Sequence, residues 1–123
     1  MLKINQKLIP DLYSTNETKT NKVWINNKPI YRKVVTGNSI SSEINTGITN
    51  CEDIVEMSVY IKQNNSNSWR PIPWLFVQNN AIGTAWWAGG YYFDNGKLMF
   101  QTGDTLKNIS KFIAIFEYTK TTD

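Results

Sequence analysis

The chain of 123 residues contains no histidine and one cysteine, Cys51. Without an imidazole the usual serine and cysteine triads are excluded, and with one thiol so are intrachain disulfides and the common zinc sites. No metal or cofactor is expected. Cys51 stands beside Glu52 and Asp53, with no Lys or Arg near it in sequence to lower its pKa, and reads as an inert thiol. Long apolar runs are missing too. The longest, at 73–77 and 112–116, are far short of the roughly 20 residues of a helical bilayer span, so no membrane insertion is expected. Residues 1–10 carry Lys3 and Lys7 and lack the apolar core of a signal peptide, which with the lone cysteine points to synthesis in a reducing cytoplasm. Gly83, Gly89, Gly90, Gly96 and Gly103 match neither a phosphate loop nor a dinucleotide fingerprint.

What is present is enough for one core. Hydrophobic residues make up 41% and aromatics 13%, in a length that fits a single domain. The net charge of +3 is too small for a dedicated nucleic-acid binder. It is unevenly placed: residues 1–35 hold seven Lys or Arg against Asp11 and Glu17, a balance of +5, and the remainder is at −2. The basic end is either a solvated face or a docking surface for an acidic neighbour or an anionic polymer.

Short segments of β-branched and aromatic residues, broken by Asn, Gly, Ser and Asp, predict strands almost throughout. Residues 22–35 read as a sheet-bordering hairpin, turning at Asn26-Asn27 in a two-residue type I′ turn. Residues 39–44 and 53–62 follow, the latter with Val55, Met57, Val59 and Ile61 on its core face. Residues 69–77 form a strand interrupted by Pro71 and Pro73, Asn79-Asn80 a turn, and 81–88 a strand ending at Gly89-Gly90. Asn95-Gly96 marks the clearest hairpin, between 91–94 and 97–101. The last strand, 111–119, sets Phe112, Ala114, Phe116 and Tyr118 against Ile113, Ile115 and Glu117. Eight or nine strands at this spacing predict an all-β antiparallel β-sandwich, jelly-roll-like, over residues 21–123, behind an N-terminal arm at 1–20. In that arm Leu2, Ile4, Leu8, Ile9 and Leu12 are the candidate anchors to a neighbouring protein or sister subunit.

Trp86 and Trp87 are adjacent, so in a strand their indoles point to opposite faces and both cannot enter one core. The outer one, with Tyr91 and Tyr92 beside it and Asp94, Asn95, Asn79 or Asn80 donating and accepting, would make a sugar platform. Trp69 and Trp74 share this ambiguity between a ligand surface and buried packing, whereas Trp24 is expected in the core. Asp94, Asp104, Glu56 and Glu117 are the carboxylates from which a glycosidase pair would be drawn.

Three segments carry a resemblance: Tyr13-Ser14-Thr15-Asn16-Glu17, the run Lys22-Val23-Trp24-Ile25-Asn26-Asn27-Lys28-Pro29-Ile30-Tyr31-Arg32-Lys33, and the ending Glu117-Tyr118-Thr119-Lys120-Thr121-Thr122-Asp123. In this order they resemble a C-terminal module of tail-fibre and other virion structural proteins of tailed bacteriophages. The chain departs in having Asn26-Asn27 where the module's hairpin has Asp-Gly, and in placing Met1 about a dozen residues ahead of a module that usually closes a longer polypeptide. The resemblance implies a non-enzymatic particle component, a homotrimer in many cases, located in the virion with other virion proteins as partners, and it identifies no ligand. Adhesion to the host surface, with a surface glycan as the candidate partner, is the expected purpose. A stand-alone carbohydrate-binding module is the alternative, and a small sandwich glycosidase the third.

Overall fold

A computed structural model of the chain describes residues 13–39, 41–64, 67–72, 74–76, 87–102 and 109–123, with the backbone alone at 74–76, 87–89 and 102. Among the described residues there are nine strands: β1 (Thr18–Val23), β2 (Pro29–Gly37), β3 (Glu43–Asn45), β4 (Cys51–Gln63), β5 (Trp69–Ile72), β6 (Trp74–Phe76), β7 (Trp87–Asp94), β8 (Lys97–Thr102) and β9 (Ile109–Lys120). They form a five-stranded sheet, ordered β1-β2-β9-β4-β5, and a four-stranded sheet, ordered β3-β8-β7-β6. Every pairing is antiparallel. The fold is the all-β sandwich that strand periodicity predicts. The nested pairing of β2 with β9 and β3 with β8 is the jelly-roll feature; the inner strands run as a hairpin, β4–β5, and a meander, β6–β7–β8.

Alternation builds the core. From β9, Phe112, Ala114, Phe116 and Tyr118 are buried; from β4, Val59 and Ile61; from β8, Leu98 and Phe100. Phe93 tilts against Phe116 at 5.6 Å between ring centroids, and Phe100 meets Phe112 edge-on at 5.5 Å. These contacts join the sheets, as does Tyr91, whose hydroxyl donates to the Met57 carbonyl at 3.2 Å.

The structure differs from the sequence-based expectation at several points, each with a local cause. The register of β4 against β9 slips between Ile54 and Glu56. That slip turns Ile54 to the core side, opposite Tyr118, where simple alternation would have placed Val55. The β1–β2 turn is longer than two residues: Trp24 N–H donates to the Lys28 carbonyl, and Asn27 N–H donates to the Trp24 carbonyl. Ile25, Asn26 and Asn27 therefore form the loop, with Asn27 at φ 64° supplying the left-handed residue. Ile25 at its tip is 87% exposed, and Trp24 is half-buried rather than in the core. Gly89 and Gly90 lie within β7 instead of ending a strand. The segment at 69–77 is two strands in different sheets, β5 and β6, and Pro71 sits in β5, an edge strand whose proline need not donate. Residues 18–20, placed in the arm by the sequence, open β1. The Asn95-Gly96 turn has both residues at positive φ, 47° and 83°, as its sequence demands.

Candidate functional site

The outer face of the five-stranded sheet carries a group of charges that the core does not need. Pairing registers place Glu56, Glu117 and Arg32 side by side on β4, β9 and β2, with Thr18 of β1 next in the row. Glu117 is buried although it points away from the core. Arg32, 5% exposed, donates to Glu117 Oε2 from Nε at 2.8 Å and also from Nη2. Lys22 of β1 donates to both carboxylate oxygens, at 2.9 and 3.0 Å. The Tyr13 ring covers the guanidinium, with Arg32 Cζ 4.3 Å from the ring centroid. Burial pushes the Glu117 carboxyl up, but the hydrogen bonds and charges of Lys22 and Arg32 outweigh it and hold the group below its ordinary range.

Toward the start of β2 and the C-terminus the network continues. Tyr118 donates to Glu17 Oε2 at 2.5 Å, Lys120 pairs with Glu17, and Lys120 Nζ lies 4.7 Å from the Tyr31 ring centroid. Lys28 pairs with Glu52 at 2.8 Å and donates to the Lys120 carbonyl at 3.2 Å. Burial and then the bond to Glu17 raise the Tyr118 phenol far above its ordinary value. A hydrogen bond to Asp123, then burial, push Tyr31 up to about 12. Much of the basic N-terminal charge therefore meets acids of this same chain: Lys22 and Arg32 meet Glu117, and Lys28 meets Glu52.

Beside the Arg32–Glu117 pair lies an open pocket of about 300 Å³, lined by Tyr13, Lys22, Glu56, Ser58, Tyr60 and Ile115 as well as the pair itself. Glu56 and Glu117, two of the four carboxylates considered for a glycosidase, meet here across one strand pair. All four hydrogen bonds to Glu117 stabilise its ionised form, the reverse of what a general acid requires. Asp94 is exposed at the end of β7, opposite Lys97, and Asp104 lies outside the described residues.

A second cleft, of about 320 Å³, opens at one end of the sandwich between the start of β4 and the β7–β8 turn. Thr49, Asn50, Glu52 and Asn95 line it together with Cys51, Ile54 and Phe93. Burial, then Asp53, pushes the Cys51 thiol up, which agrees with an unreactive side chain.

The described residues of the sequence-predicted sugar platform are not brought together. β7 is one continuous strand from Trp87 to Asp94, so the two ends are about 23 Å apart. Asp94 and Asn95 therefore cannot serve a ring resting at Trp87. Tyr91 packs inward against the core and Tyr92 is exposed on the opposite face, as neighbours in a strand must be. Trp69 is exposed on the other sheet, in register with Lys62. Trp86, Asn79 and Asn80 lie outside the described residues, as do the arm positions Leu2, Ile4, Leu8, Ile9 and Leu12. Of the predicted ligand residues, Asn95 lines the end cleft. Reasoning from the sequence missed Arg32 and Lys22 as partners of Glu117. The available signal was β9 itself, where Glu117 takes an outward position between strands and so calls for a cation beside it. Comparison with known protein families, with curated proteins and with solved structures finds no match.

Proposed function

We propose that this chain is a non-enzymatic structural protein of a tailed-bacteriophage virion: a small fibre, spike or decoration module that assembles as a homotrimer and contributes to host-surface adhesion. One observation carries the reading. The first two segments that resemble the phage module are near neighbours in sequence and the third lies 84 positions beyond them, yet all three meet in a single network. Arg32 and Glu117 are separated by 85 positions and Glu17 and Lys120 by 103, and Tyr13, Lys22, Tyr31 and Tyr118 fill the space between them. The resembling pattern is thus one physical unit, which favours a shared module over three chance matches. The sequestered Glu117 carboxylate also favours a scaffold over a hydrolase.

The solution mass of the purified chain, read by light scattering over a concentration series, tests this. A stable particle of three times 14.2 kDa supports the virion reading. A monomer at every concentration counts against it. The stand-alone carbohydrate-binding module would then lead, because the cleft of about 320 Å³, with Asn50, Asn95 and Phe93 among its lining, is of a size to take a small sugar.

A further inference from the structure

Two loops meet at the end of the sandwich where the cleft of about 320 Å³ opens, and the protein itself ties them together. The Gly96 carbonyl accepts from the N–H and from the hydroxyl of Thr46, at 3.0 and 2.7 Å, and that hydroxyl accepts from Ile48 N–H at 3.1 Å. The Asn50 carbonyl accepts from Thr121 N–H at 2.8 Å, which holds the entry to β4 against the C-terminal segment. Five of the described residues have left-handed φ, and four of them, Gly47, Asn50, Asn95 and Gly96, belong to these loops. Glycine at 96 also permits the close approach, since a methyl there would stand 2.7 Å from the Ile48 carbonyl oxygen. A site whose backbone is held in this way gives up little entropy on taking a ligand.

The lining then selects the class of ligand. Thr49, Asn50 and Asn95 are exposed, and among the described residues no hydrogen bond engages their side chains. They offer one hydroxyl and two amides, each able to donate and to accept, which matches the hydroxyls of a sugar. Glu52, the one charged residue lining the cleft among the described residues, is paired with Lys28 at 2.8 Å. Lys28 donates also to the Lys120 carbonyl at 3.2 Å, so neither charge is left over for an ionic ligand. The pocket beside Arg32 and Glu117 differs in this respect, with four charged side chains in its lining. Ile54 and Phe93 are half-buried and add apolar surface suited to the C–H groups of a sugar ring. Ligand sites span about 300–1,000 Å³, and a cleft at the small end of that range has room for one ring rather than several.

We propose that the end cleft binds one neutral sugar unit, the end of a glycan chain, with the Asn50 and Asn95 amides bonding its hydroxyls and Phe93 meeting its C–H groups. This names the ligand class for the adhesive part of the proposed function, on which it rests, and it does not rest on the trimeric part.

The test is an amide NMR titration of the full chain with methyl glycosides of neutral hexoses, deoxyhexoses and N-acetylhexosamines, with N-acetylneuraminic acid and glucosamine as the charged comparisons. Each is taken to about 100 mM, because one ring in an open site binds in the millimolar range. At least one neutral glycoside is expected to shift the amides of Asn50, Cys51, Asn95 and Gly96 with saturation, and to bind more tightly than either charged sugar. Asn50→Gly with Asn95→Gly removes both amides but keeps a residue that adopts left-handed φ freely, and weakens binding by about tenfold or more. No response to any neutral glycoside overturns the proposal. So do tighter binding of a charged sugar, shifts confined to the exposed rings of Trp69 or Tyr92, and undiminished binding by the double variant. Should that variant unfold in urea earlier than the wild type, the shifts in the wild-type chain decide alone. A trimer by light scattering that binds no sugar keeps the particle reading and loses this proposal, while a monomer that binds here does the reverse.

Discussion

Replacing Glu117 by alanine is the most informative single perturbation of the ion network. It leaves the Arg32 guanidinium in place, with 5% of its side chain exposed, and removes a carboxylate that is itself 8% exposed. Breaking a buried pair in this way costs about 3–5 kcal/mol, because the remaining charge stays desolvated. Lys22, with 45% of its side chain exposed, swings into water and adds little. At roughly 3–5 °C per kcal/mol for a domain of this size, the midpoint falls by about 10–20 °C. The double variant Arg32→Met with Glu117→Leu removes both charges and fills similar volume, and is expected within about 1 kcal/mol of the wild type or above it. Urea unfolding followed by circular dichroism measures both. A loss below about 1 kcal/mol in the single variant, or a double variant as unstable as the single, refutes the claim that desolvated charge dominates here. Acid adds a check. Glu117 lies below its ordinary value of 4.5 when folded, so its stabilisation is complete above that pH and is lost as pH falls through the lowered value. Glu117→Gln abolishes that part of the acid dependence.

Three further outcomes are expected. Gly96→Ala places a methyl 2.7 Å from the Ile48 carbonyl oxygen at φ 83°, costing about 1–3 kcal/mol in urea unfolding, whereas Asn95→Gly changes stability by no more than about 0.5 kcal/mol. Gly37→Ala drives its methyl into the buried Phe112 ring and costs about 1–3 kcal/mol, while Gly90→Ala meets nothing within 4 Å and stays within about 0.5 kcal/mol; equal effects would contradict the packing. In alkaline ultraviolet titration, Tyr31 ionises near pH 12 and Tyr118 only on unfolding. Raised phenols stabilise the fold below their ordinary value of 10.0 and cease to as pH climbs toward the folded values, so complete ionisation near 10 with the fold intact would oppose the assignment.

Strand periodicity made the sandwich legible because it is local. Alternation in 112–118 and the Asn95-Gly96 turn each need only a few neighbouring residues to act, and both appear as the sequence predicts. The errors came where one residue shifts a frame. The slip before Glu56 turns Ile54 inward, and the left-handed Asn27 lengthens a turn that two asparagines alone would make shorter. Part of the proposed sugar platform comes apart for a related reason, while Trp86, Asn79 and Asn80 lie outside the described residues. Two glycines were read as a strand end, when glycine in a strand interior is tolerated and β7 simply continues, carrying Asp94 away from Trp87. The ion network was the least legible part, since its partners are 85 to 103 positions apart and no periodicity links them.

The charge imbalance along the sequence takes a different meaning once the chain is folded. A balance of +5 in residues 1–35 looks like a field for attracting anionic polymers, but β1 and β2 lie beside β9, where Glu117 takes two of those charges. Glu52 takes a third. The asymmetry thus acts as glue between chain segments, and a salt titration separates the two roles. The Arg32–Glu117 pair is short and buried, so screening hardly touches it, whereas a docking field on the surface decays within about 10 Å at 0.1 M salt. On the proposed adhesive role, binding is therefore expected to depend little on ionic strength, with contacts to be sought at the end cleft around Asn50 and Asn95.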